Sequence, residues 1–269
     1  MIVLVSGKSA PGATTTVAAL AHGWPAPLVL ADCDPHGGDL ATGWLSTWWL
    51  GGWLGLGVGV LSFVTATRHT TTVTADQLTG HLQAVPPAPH ARLLAGLADP
   101  GQASAVGEAG WRRVAAGLSA LAAVPRGGVD VLADCGRLSD GAEVPWPVLE
   151  AADLVLLAVR PVPRHIHAAQ PALTALRQRI PGERLGLAVC GTSALGVRQL
   201  QGLFGVPARV SLPEDAEAAR VFSDGAAHRK IARTLFGRVA ARSAQRLRAT
   251  TTTARSAPST LAAVNGTPR

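Results

Sequence analysis

Cysteine and charge are scarce in this chain of 269 residues, and each shortage excludes a class of protein. The three cysteines, Cys33, Cys135 and Cys190, are far apart and form no CxxC pair, which argues against a structural zinc site or a disulfide framework and favours a reducing cytosol. Charged residues make up 15% of the chain and hydrophobic residues 48%, which excludes a disordered chain and a coiled coil. No basic segment precedes the first apolar run, so we predict no secretory signal.

Lysine occurs only twice in the chain. The carboxyl-terminal end, in turn, lacks acidic residues. Lys8 and Lys230 stand against 22 arginines, a bias expected of a GC-rich genome, and a lysine retained under that bias is a candidate for a role that arginine cannot fill. The stretch from Arg229 to Arg269 holds nine of the 24 basic residues and no acidic residue. This charge predicts an anionic partner, such as DNA or a membrane surface, for the carboxyl-terminal end.

Short apolar runs alternate with longer helix-compatible stretches. The predicted strands are Ile2–Ser6, Pro27–Asp32, Val129–Asp134, Leu154–Val159, Leu185–Cys190 and Val210–Leu212. The predicted helices are Thr14–His22, Ala105–Ala122, Pro163–Ile180, Val197–Leu203 and Glu214–Phe222. Near-continuous apolar strands are typical of parallel strands covered on both faces. Their alternation with helices predicts a three-layer, doubly wound α/β fold with a mainly parallel sheet.

The carboxyl-terminal end is predicted as a basic helix followed by a tail. One domain over residues 1–248 ends in an amphipathic helix at about 226–248. One stripe of this helix is apolar and another is rich in arginine, and the apolar stripe consists of Ile231, Leu235, Val239 and Leu247. Residues 249–269 are rich in threonine and of low complexity, and we predict that they are disordered.

A segment rich in tryptophan and glycine interrupts the α/β pattern. Residues 41–67 carry no charge and contain four tryptophans, at positions 44, 48, 49 and 53. The length would allow a membrane anchor through Trp44–Val64. Six glycines break the segment, however, and a membrane span would separate strands that must pair in one sheet, so a buried or partner-facing helix and loop is the favoured interpretation.

The strongest chemical signal is a glycine-rich loop between the first strand and the first helix. The stretch GKSAPGATT, Gly7–Thr15, fits the phosphate-loop pattern G-x-x-x-x-G-K-[ST] except that Ala13 replaces the lysine. Gly7 and Gly12 would let backbone N–H groups approach phosphate oxygens, and the helix amino terminus would favour an anion. Thr14 would offer a hydroxyl to Mg²⁺.

Three acidic residues follow predicted strands. Asp32 and Asp34 lie in the stretch DCDP after the second strand, and Asp134 begins the stretch DCG after the strand VDVLA. The carboxyl ends of strands in open α/β sheets are where ligands bind. In a nucleotide site, carboxylates there hold Mg²⁺ through its waters and orient an attacking water.

Taken together, GKSAPGATT, DCDP and DCG resemble the ParA/MinD family of partitioning and positioning ATPases, whose deviant phosphate loop reads K-G-G-x-G-K-[ST]-[ST]. The later stretches ADLVLLAVRP, LGLAVCG and VSLPEDAEAARVFSDG are similar to the family as well, so the resemblance runs from Met1 to about Arg248. It implies a P-loop NTPase-like fold and ATP with Mg²⁺ as ligands. The nucleotide-binding residues that it implies are Gly7, Lys8, Pro11, Gly12, Ala13, Thr14 and Thr15.

The resemblance also implies individual roles. Lys8 matches the signature lysine, which reaches phosphates across a nucleotide-sandwich dimer, and Asp34 matches the acid linked to water activation. These two are therefore the candidate catalytic residues. Thr14, Asp32 and Asp134 are the implied Mg²⁺ residues.

The departures from the family pattern affect the expected activity. Ser9 and Ala10 replace two glycines, and Ala13 replaces the lysine that cradles the β- and γ-phosphates. We therefore expect a nucleotide-dependent dimer acting as a positioning or partitioning switch whose hydrolysis is slow or lost. The alternative is a pseudo-ATPase scaffold that localises pilus, secretion or other cell-pole machinery through an unknown protein partner. In either case the resemblance implies a cytoplasmic protein, at the nucleoid or the inner membrane where the arginine-rich helix binds such a surface.

Overall fold

The computed structural model describes residues 1–7, 12–124, 128–138, 144–192 and 195–256, with side chains described to residue 251. Eight strands form one sheet: β1 Ile2–Ser6, β2 Leu28–Asp32, β3 Gln83–Ala84, β4 Ala91–Leu94, β5 Asp130–Arg137, β6 Leu154–Val159, β7 Leu185–Cys190 and β8 Ala208–Leu212. Ten α-helices accompany them in the described chain: α1 Ala13–His22, α2 Ser46–Leu50, α3 Val60–Ala66, α4 Ala75–Thr79, α5 Ala103–Ala122, α6 Trp146–Ala151, α7 Pro163–Arg179, α8 Val197–Phe204, α9 Ala216–Ser223 and α10 Leu235–Ser256.

The sheet has the order β3-β4-β2-β5-β1-β6-β7-β8, and every pairing is parallel except β3 with β4. All residues of β1, β2, β6 and β7 are buried, as near-continuous apolar sequences require of central parallel strands. The chain order reverses between β1 and its two neighbours, β5 and β6, so their carboxyl ends flank a crevice. The predicted doubly wound, mainly parallel α/β fold is confirmed.

Helices cover both faces of the sheet. One buried cluster joins the sheet to α3 through α8, with Phe63, Trp111 and Leu176 among its members. The other joins it to α1, α9 and α10, with Trp44 and Phe222 in ring contact. Each layer buries an apolar surface that neither the sheet nor the helices would bury alone, which accounts for the three-layer arrangement.

The tryptophan-rich segment is broken into short elements. A turn of π-helix over Leu40–Trp44 precedes α2, and a glycine-rich loop leads to α3. The side chain of Gln83 holds this loop through hydrogen bonds with the backbone of Gly55 and Val58. Trp53 and Leu50 are 81% and 77% exposed. Within the described residues, no helix combines the length and apolar character that crossing a bilayer requires.

The predicted bounds of the last helix were wrong at both ends. A 3-10 turn over Ile231–Arg233 comes first, and α10 begins only at Leu235, where the Thr234 hydroxyl accepts a hydrogen bond from the N–H of Gly237. The helix then continues to Ser256, through the first part of the tail predicted as disordered. Residues 257–269 of that tail lie outside the described residues.

Candidate functional site

The first helix begins at the carboxyl edge of the sheet with an open amino terminus. Gly12 precedes it in the left-handed region at φ 94°, and its carbonyl accepts the first helical hydrogen bond from Thr16 N–H at 2.9 Å. Gly7, at the end of β1, lies so close to α7 that a Cβ would come within 2.5 Å of the Ala168 carbonyl oxygen. Both glycines of the predicted loop are therefore required by local geometry. Lys8 and Pro11 lie outside the described residues.

A cavity of about 790 Å³ opens in front of this helix end. Its lining includes Gly12, Ala13, Thr14, Thr15, Asp34, His36, Gly37, Gly38, Asp39, Gly136 and Arg137. Backbone N–H groups at a helix amino terminus, together with the partial positive charge of the helix, form a site that suits a phosphate group. The structure thus brings the described residues of the predicted phosphate loop together with Asp34.

The other two predicted acids lie beneath the cavity. Asp32 and Asp134 are register partners on β2 and β5 and are 1% and 2% exposed. The Asp134 carboxylate accepts hydrogen bonds from the Thr14 side chain and from the Gly136 N–H, the latter at 3.0 Å. Thr14 and Asp134, two of the three predicted Mg²⁺ residues, are thereby in contact.

Asp32 is enclosed more tightly than the sequence indicates. Its Oδ2 accepts a hydrogen bond from Leu40 N–H at 3.1 Å, and a Cβ on Gly38 or Gly96 would come within 3 Å of the carboxyl group. Its Oδ1 accepts no hydrogen bond of ordinary geometry among the described residues, and the Asp34 backbone is a weaker partner of the carboxyl. Such an orphaned buried oxygen is expected where a further polar group completes the site.

These donors suit a magnesium ion. Mg²⁺ prefers oxygen ligands and commonly takes one or two carboxylates, retained waters and the phosphates of its substrate rather than a full protein cage. Accordingly, the part of the chain that the structure describes contains no group of three or more His, Cys, Asp or Glu side chains suited to hold a metal alone. A hydroxyl on Thr14, the Asp134 carboxylate and the incompletely hydrogen-bonded Asp32 carboxyl fit a magnesium–phosphate ligand.

Burial dominates the electrostatics of the acids. It raises the pKa of Asp134 to about 6, against the opposing hydrogen bonds from Thr14 and Gly136. Burial, followed by the neighbouring Asp134 charge, raises the pKa of Asp32 well above its usual range. Asp39, at the cavity wall, has a pKa raised by burial and then by Asp34. A cation bound here would favour the ionised forms of all these carboxyls.

The raised pKa of Asp134 predicts how stability depends on pH in the nucleotide-free protein. Because the native state keeps a proton that the unfolded chain has already released, this carboxyl contributes stability below its ordinary value of 3.8, and that contribution is lost as the pH rises through about 6. Asp134→Asn should therefore raise the melting temperature at pH 7.5 by about 5 °C or more and flatten the fall in stability between pH 4 and 7.

Thermal unfolding followed by circular dichroism across this pH range measures the effect. Asp76→Asn, at an exposed acid of α4, is the matched control and should leave the profile unchanged. A melting temperature of Asp134→Asn below that of the wild type at pH 7.5 would contradict the assignment of a buried, charge-destabilised carboxyl.

A second cavity of about 310 Å³ adjoins the first. The two share Gly12 and Thr15, at the start of α1, and the second continues along the ends of β7 and β8. An ion pair between Arg160 and Glu214, at 2.5 Å, lies in its wall. Sequence reasoning missed this cavity because its lining comes from several distant segments, although the stretches that supply it are among those that resemble the family.

Asp39 and Arg137 also line the main cavity without having been predicted as site residues. Asp39 ends the stretch DCDPHGGD, and Arg137 follows DCG directly, so both stand at carboxyl ends of strands. The rule that ligands bind at those ends was the signal that could have found them.

The left-handed backbone at Gly12 predicts a second mutational effect. A valine there would be strained, and its Cβ would lie 3.4 Å from Cys190 in the wall of the second cavity, so we expect Gly12→Val to weaken Mg²⁺-nucleotide binding by a factor of about 100 or more. Gly52→Val is the matched control, because Gly52 has φ 73°, lines neither cavity, and would carry a Cβ that meets nothing within 4 Å. Titration calorimetry measures the nucleotide affinity of each variant. Equal affinities for the two variants would show that the nucleotide does not bind against the backbone at Gly12.

No protein-family model matches this sequence, and no curated protein sequence is recognisably similar to it. Solved structures do resemble it. A ParA family ATPase from Chlorobium tepidum TLS aligns with a TM-score of 0.68 and 16% identity over 91% of this chain and 98% of its own. The cell division ATPase MinD of Pyrococcus furiosus aligns with a TM-score of 0.68 and 14% identity, over 93% of this chain and 98% of its own.

The septum site-determining protein MinD of Pyrococcus horikoshii, complexed with Mg-ADP, aligns with a TM-score of 0.60 and 14% identity, over 92% of this chain and 96% of its own. Identities this low establish the fold and leave the activity open. The alignments nevertheless span nearly the whole length of each chain. This chain therefore has the fold of the ParA/MinD-like P-loop ATPases.

Proposed function

We infer that this protein is a ParA/MinD-like positioning or partitioning switch that binds Mg²⁺-ATP, dimerises when it does so, and hydrolyses the nucleotide slowly or not at all. The observation that carries the inference is the junction of the two cavities at Gly12 and Thr15. A triphosphate in the first cavity would lie against the amino terminus of α1, and the base attached to it would extend into the second. The relative from Pyrococcus horikoshii, complexed with Mg-ADP, supports this class of ligand.

The roles of the site residues follow from their positions. The backbone at Gly12, Ala13 and Thr15 would bind phosphate oxygens, and the Thr14 hydroxyl would join the magnesium ion. Asp134 and Asp32 would hold that ion through its waters, while Asp34, at the open wall of the cavity, would orient an attacking water. Lys8 keeps the role that the resemblance implies, contact with phosphates across a dimer.

Slow hydrolysis follows from one residue. Ala13 is buried at the first position of α1, where the usual phosphate-loop lysine would extend toward the β- and γ-phosphates. Without that cation, the charge that develops in the transition state has less stabilisation, and single donors or cations of this kind contribute roughly 10²–10³ in rate.

The alternative function is a pseudo-ATPase scaffold that acts through protein partners. It is favoured by Ala13 and by the exposed apolar side chains of Trp53 and Leu50 in the tryptophan-rich segment. Phosphate release measured with Mg²⁺-ATP, with and without DNA or lipid, separates the two functions. Any turnover that Asp34→Asn removes supports the switch. Retained ATP binding with no turnover and no change in oligomeric state supports the scaffold.

The surface that the switch would bind is suggested by its last helix. Arg233, Arg238, Arg242 and Arg246 are exposed on or beside α10, while Phe236, Ala240, Ala244 and Leu247 face the core. The face that the helix buries is therefore not the stripe predicted from the sequence, since Leu235 of that stripe is 57% exposed. The density of exposed arginines favours DNA phosphates over insertion into a membrane. We expect binding to duplex DNA that does not depend on its sequence and that falls steeply with salt.

Replacing Arg238 and Arg242 together by glutamine should weaken DNA binding and reduce the slope of log affinity against log salt by about two units. Fluorescence anisotropy with a labelled duplex at several salt concentrations measures both. The control pair Arg112 and Arg179, exposed on α5 and α7, should leave the slope unchanged when replaced in the same way. If the wild-type protein binds anionic vesicles and no DNA, the prediction of DNA binding is wrong and the surface is a membrane.

A further inference from the structure

Among the residues that the structure describes, the lining of the main cavity combines two acids with one permanent positive charge. Asp34 and Asp39 line it, and the buried carboxyls of Asp32 and Asp134 lie below. Ala13 supplies no cation at the position of the usual phosphate-loop lysine. Among the lining residues that the structure describes, Arg137 is the one with a permanent positive charge. A polyphosphate bound here needs a positive charge nearby, because its own negative charge is repelled by the negative charge of the acids.

An irregularity in the sheet directs Arg137 to this place. The parallel register between β1 and β5 runs Ile2 with Leu132 through Leu4 with Asp134, and then shifts so that Ser6 pairs with Arg137. The extra residue on β5 forms a bulge, a feature that turns side chains and is over-represented next to active sites. Leu138 N–H donates to the Ser6 carbonyl at 2.8 Å, which fixes the new register beside the start of the phosphate loop.

Gly136 makes the bulge feasible. It adopts φ 62°, and a Cβ in its place would lie 2.1 Å from the carboxylate of Asp34. The Ser6 hydroxyl donates to the Gly136 carbonyl at 3.3 Å. The bulge thus sets Gly136 against Asp34 and Arg137 beside Ser6 at the end of β1, in the lining of the cavity where phosphates would lie.

We propose that Arg137 binds the nucleotide phosphates and supplies, from β5, the positive charge that Ala13 does not supply from α1. The guanidinium group presents paired N–H donors that match two phosphate oxygens at once. This assignment rests on the proposed function, since it presumes that the cavity takes a nucleotide. It makes Arg137 a phosphate-binding residue of this particular chain.

The test compares ATP with adenosine, which lacks phosphates. Affinities of both are measured by titration calorimetry, in Mg²⁺ buffer, for the wild type, Arg137→Gln and Arg137→Lys. We expect Arg137→Gln to weaken ATP binding about tenfold or more and to leave adenosine binding unchanged, with Arg137→Lys in between. Arg198→Gln, at an exposed arginine of α8 outside both cavities, is the matched control and should bind ATP as the wild type does.

A double variant sharpens the test. If Arg137 fills the place of the missing lysine, Ala13→Lys introduced into Arg137→Gln should restore much of the lost ATP affinity. Unchanged ATP affinity in Arg137→Gln, or an equal loss for ATP and adenosine, would overturn the assignment while leaving the proposed function standing. A wild type that binds neither ligand would overturn both. Circular dichroism of each variant confirms that the fold is kept.

Discussion

Replacing Ala13 with lysine is expected to raise the rate of Mg²⁺-ATP hydrolysis by roughly 10²–10³. Ala13 occupies the first position of α1 and lines the main cavity beside Thr14. A lysine there would extend to the β- and γ-phosphates and stabilise the charge that develops as the terminal phosphate is transferred. The rest of the site already has the hydroxyl of Thr14 and the acids in place, so the single cation should have a large effect.

Steady-state phosphate release measures this gain. Thr42→Lys is the matched control, because Thr42 lines the same cavity but belongs to the turn of π-helix rather than to the phosphate loop. A general increase in positive charge would affect both variants, whereas a specific restoration of the loop would affect only Ala13→Lys. If Ala13→Lys binds ATP yet hydrolyses it no faster than the wild type, the missing lysine is not what limits catalysis.

Replacing Lys8 with alanine is expected to abolish ATP binding and the nucleotide-dependent dimer together. Lys8 is one of two lysines in the chain and stands in the predicted phosphate loop, where the resemblance gives it contact with phosphates of both protomers. Because Ala13 contributes no charge, this loop depends on Lys8 for a cation of its own. The loss of ATP affinity should reach a factor of about 100 or more.

The chain offers a matched control in its other lysine. Lys230→Ala removes an exposed lysine ahead of α10 and should leave ATP affinity and mass unchanged. Lys8→Arg adds a second comparison: an ammonium reaches a phosphate as a compact point charge, so we expect arginine to restore binding only in part. If nucleotide affinity and oligomeric state are unchanged in Lys8→Ala, the assignment of Lys8 to phosphate binding and dimerisation is wrong.

Much of the fold was accessible from the sequence because the central strands are pure apolar runs. β1, β6 and β7 have the predicted bounds, and β2, β5 and β8 differ only at their ends. β3 and β4 were missed, since they are two and four residues long and are separated by a stretch rich in proline. Such short edge strands are formed by pairing with the sheet rather than by their own pattern.

The last helix shows where composition misleads. A threonine-rich stretch usually favours a disordered tail, yet the Thr250 and Thr251 hydroxyls donate to the carbonyls of Arg246 and Leu247 one turn earlier, and the helix continues to Ser256. Leu247 and Thr251 are also buried against the rest of the protein. Packing of this kind overrides a low local propensity, and the sequence alone does not reveal it.

The candidate site, like the fold, was predicted only in part. The phosphate-loop glycines and the acids after β2 and β5 could be predicted because each follows a strand whose end was visible in the sequence. Arg137 carried the same strand-end signal and was overlooked, and its place in the cavity depends on a bulge that the sequence does not reveal. The second cavity could not be predicted, because its segments meet only in the folded chain. The roles of the predicted site residues stay predictions, and the variants above test those of Lys8 and Asp34.

The central claim is that the two joined cavities take one nucleotide and that binding it couples to self-association. Titration of the purified protein with Mg²⁺-ATP, with the molar mass followed by light scattering in the same samples, tests this claim most directly. We predict saturable binding accompanied by a shift from the 27.5 kDa monomer to twice that mass. Absence of binding at millimolar ATP would contradict the account, and the phosphate loop would then be a relic in a protein that works as a scaffold.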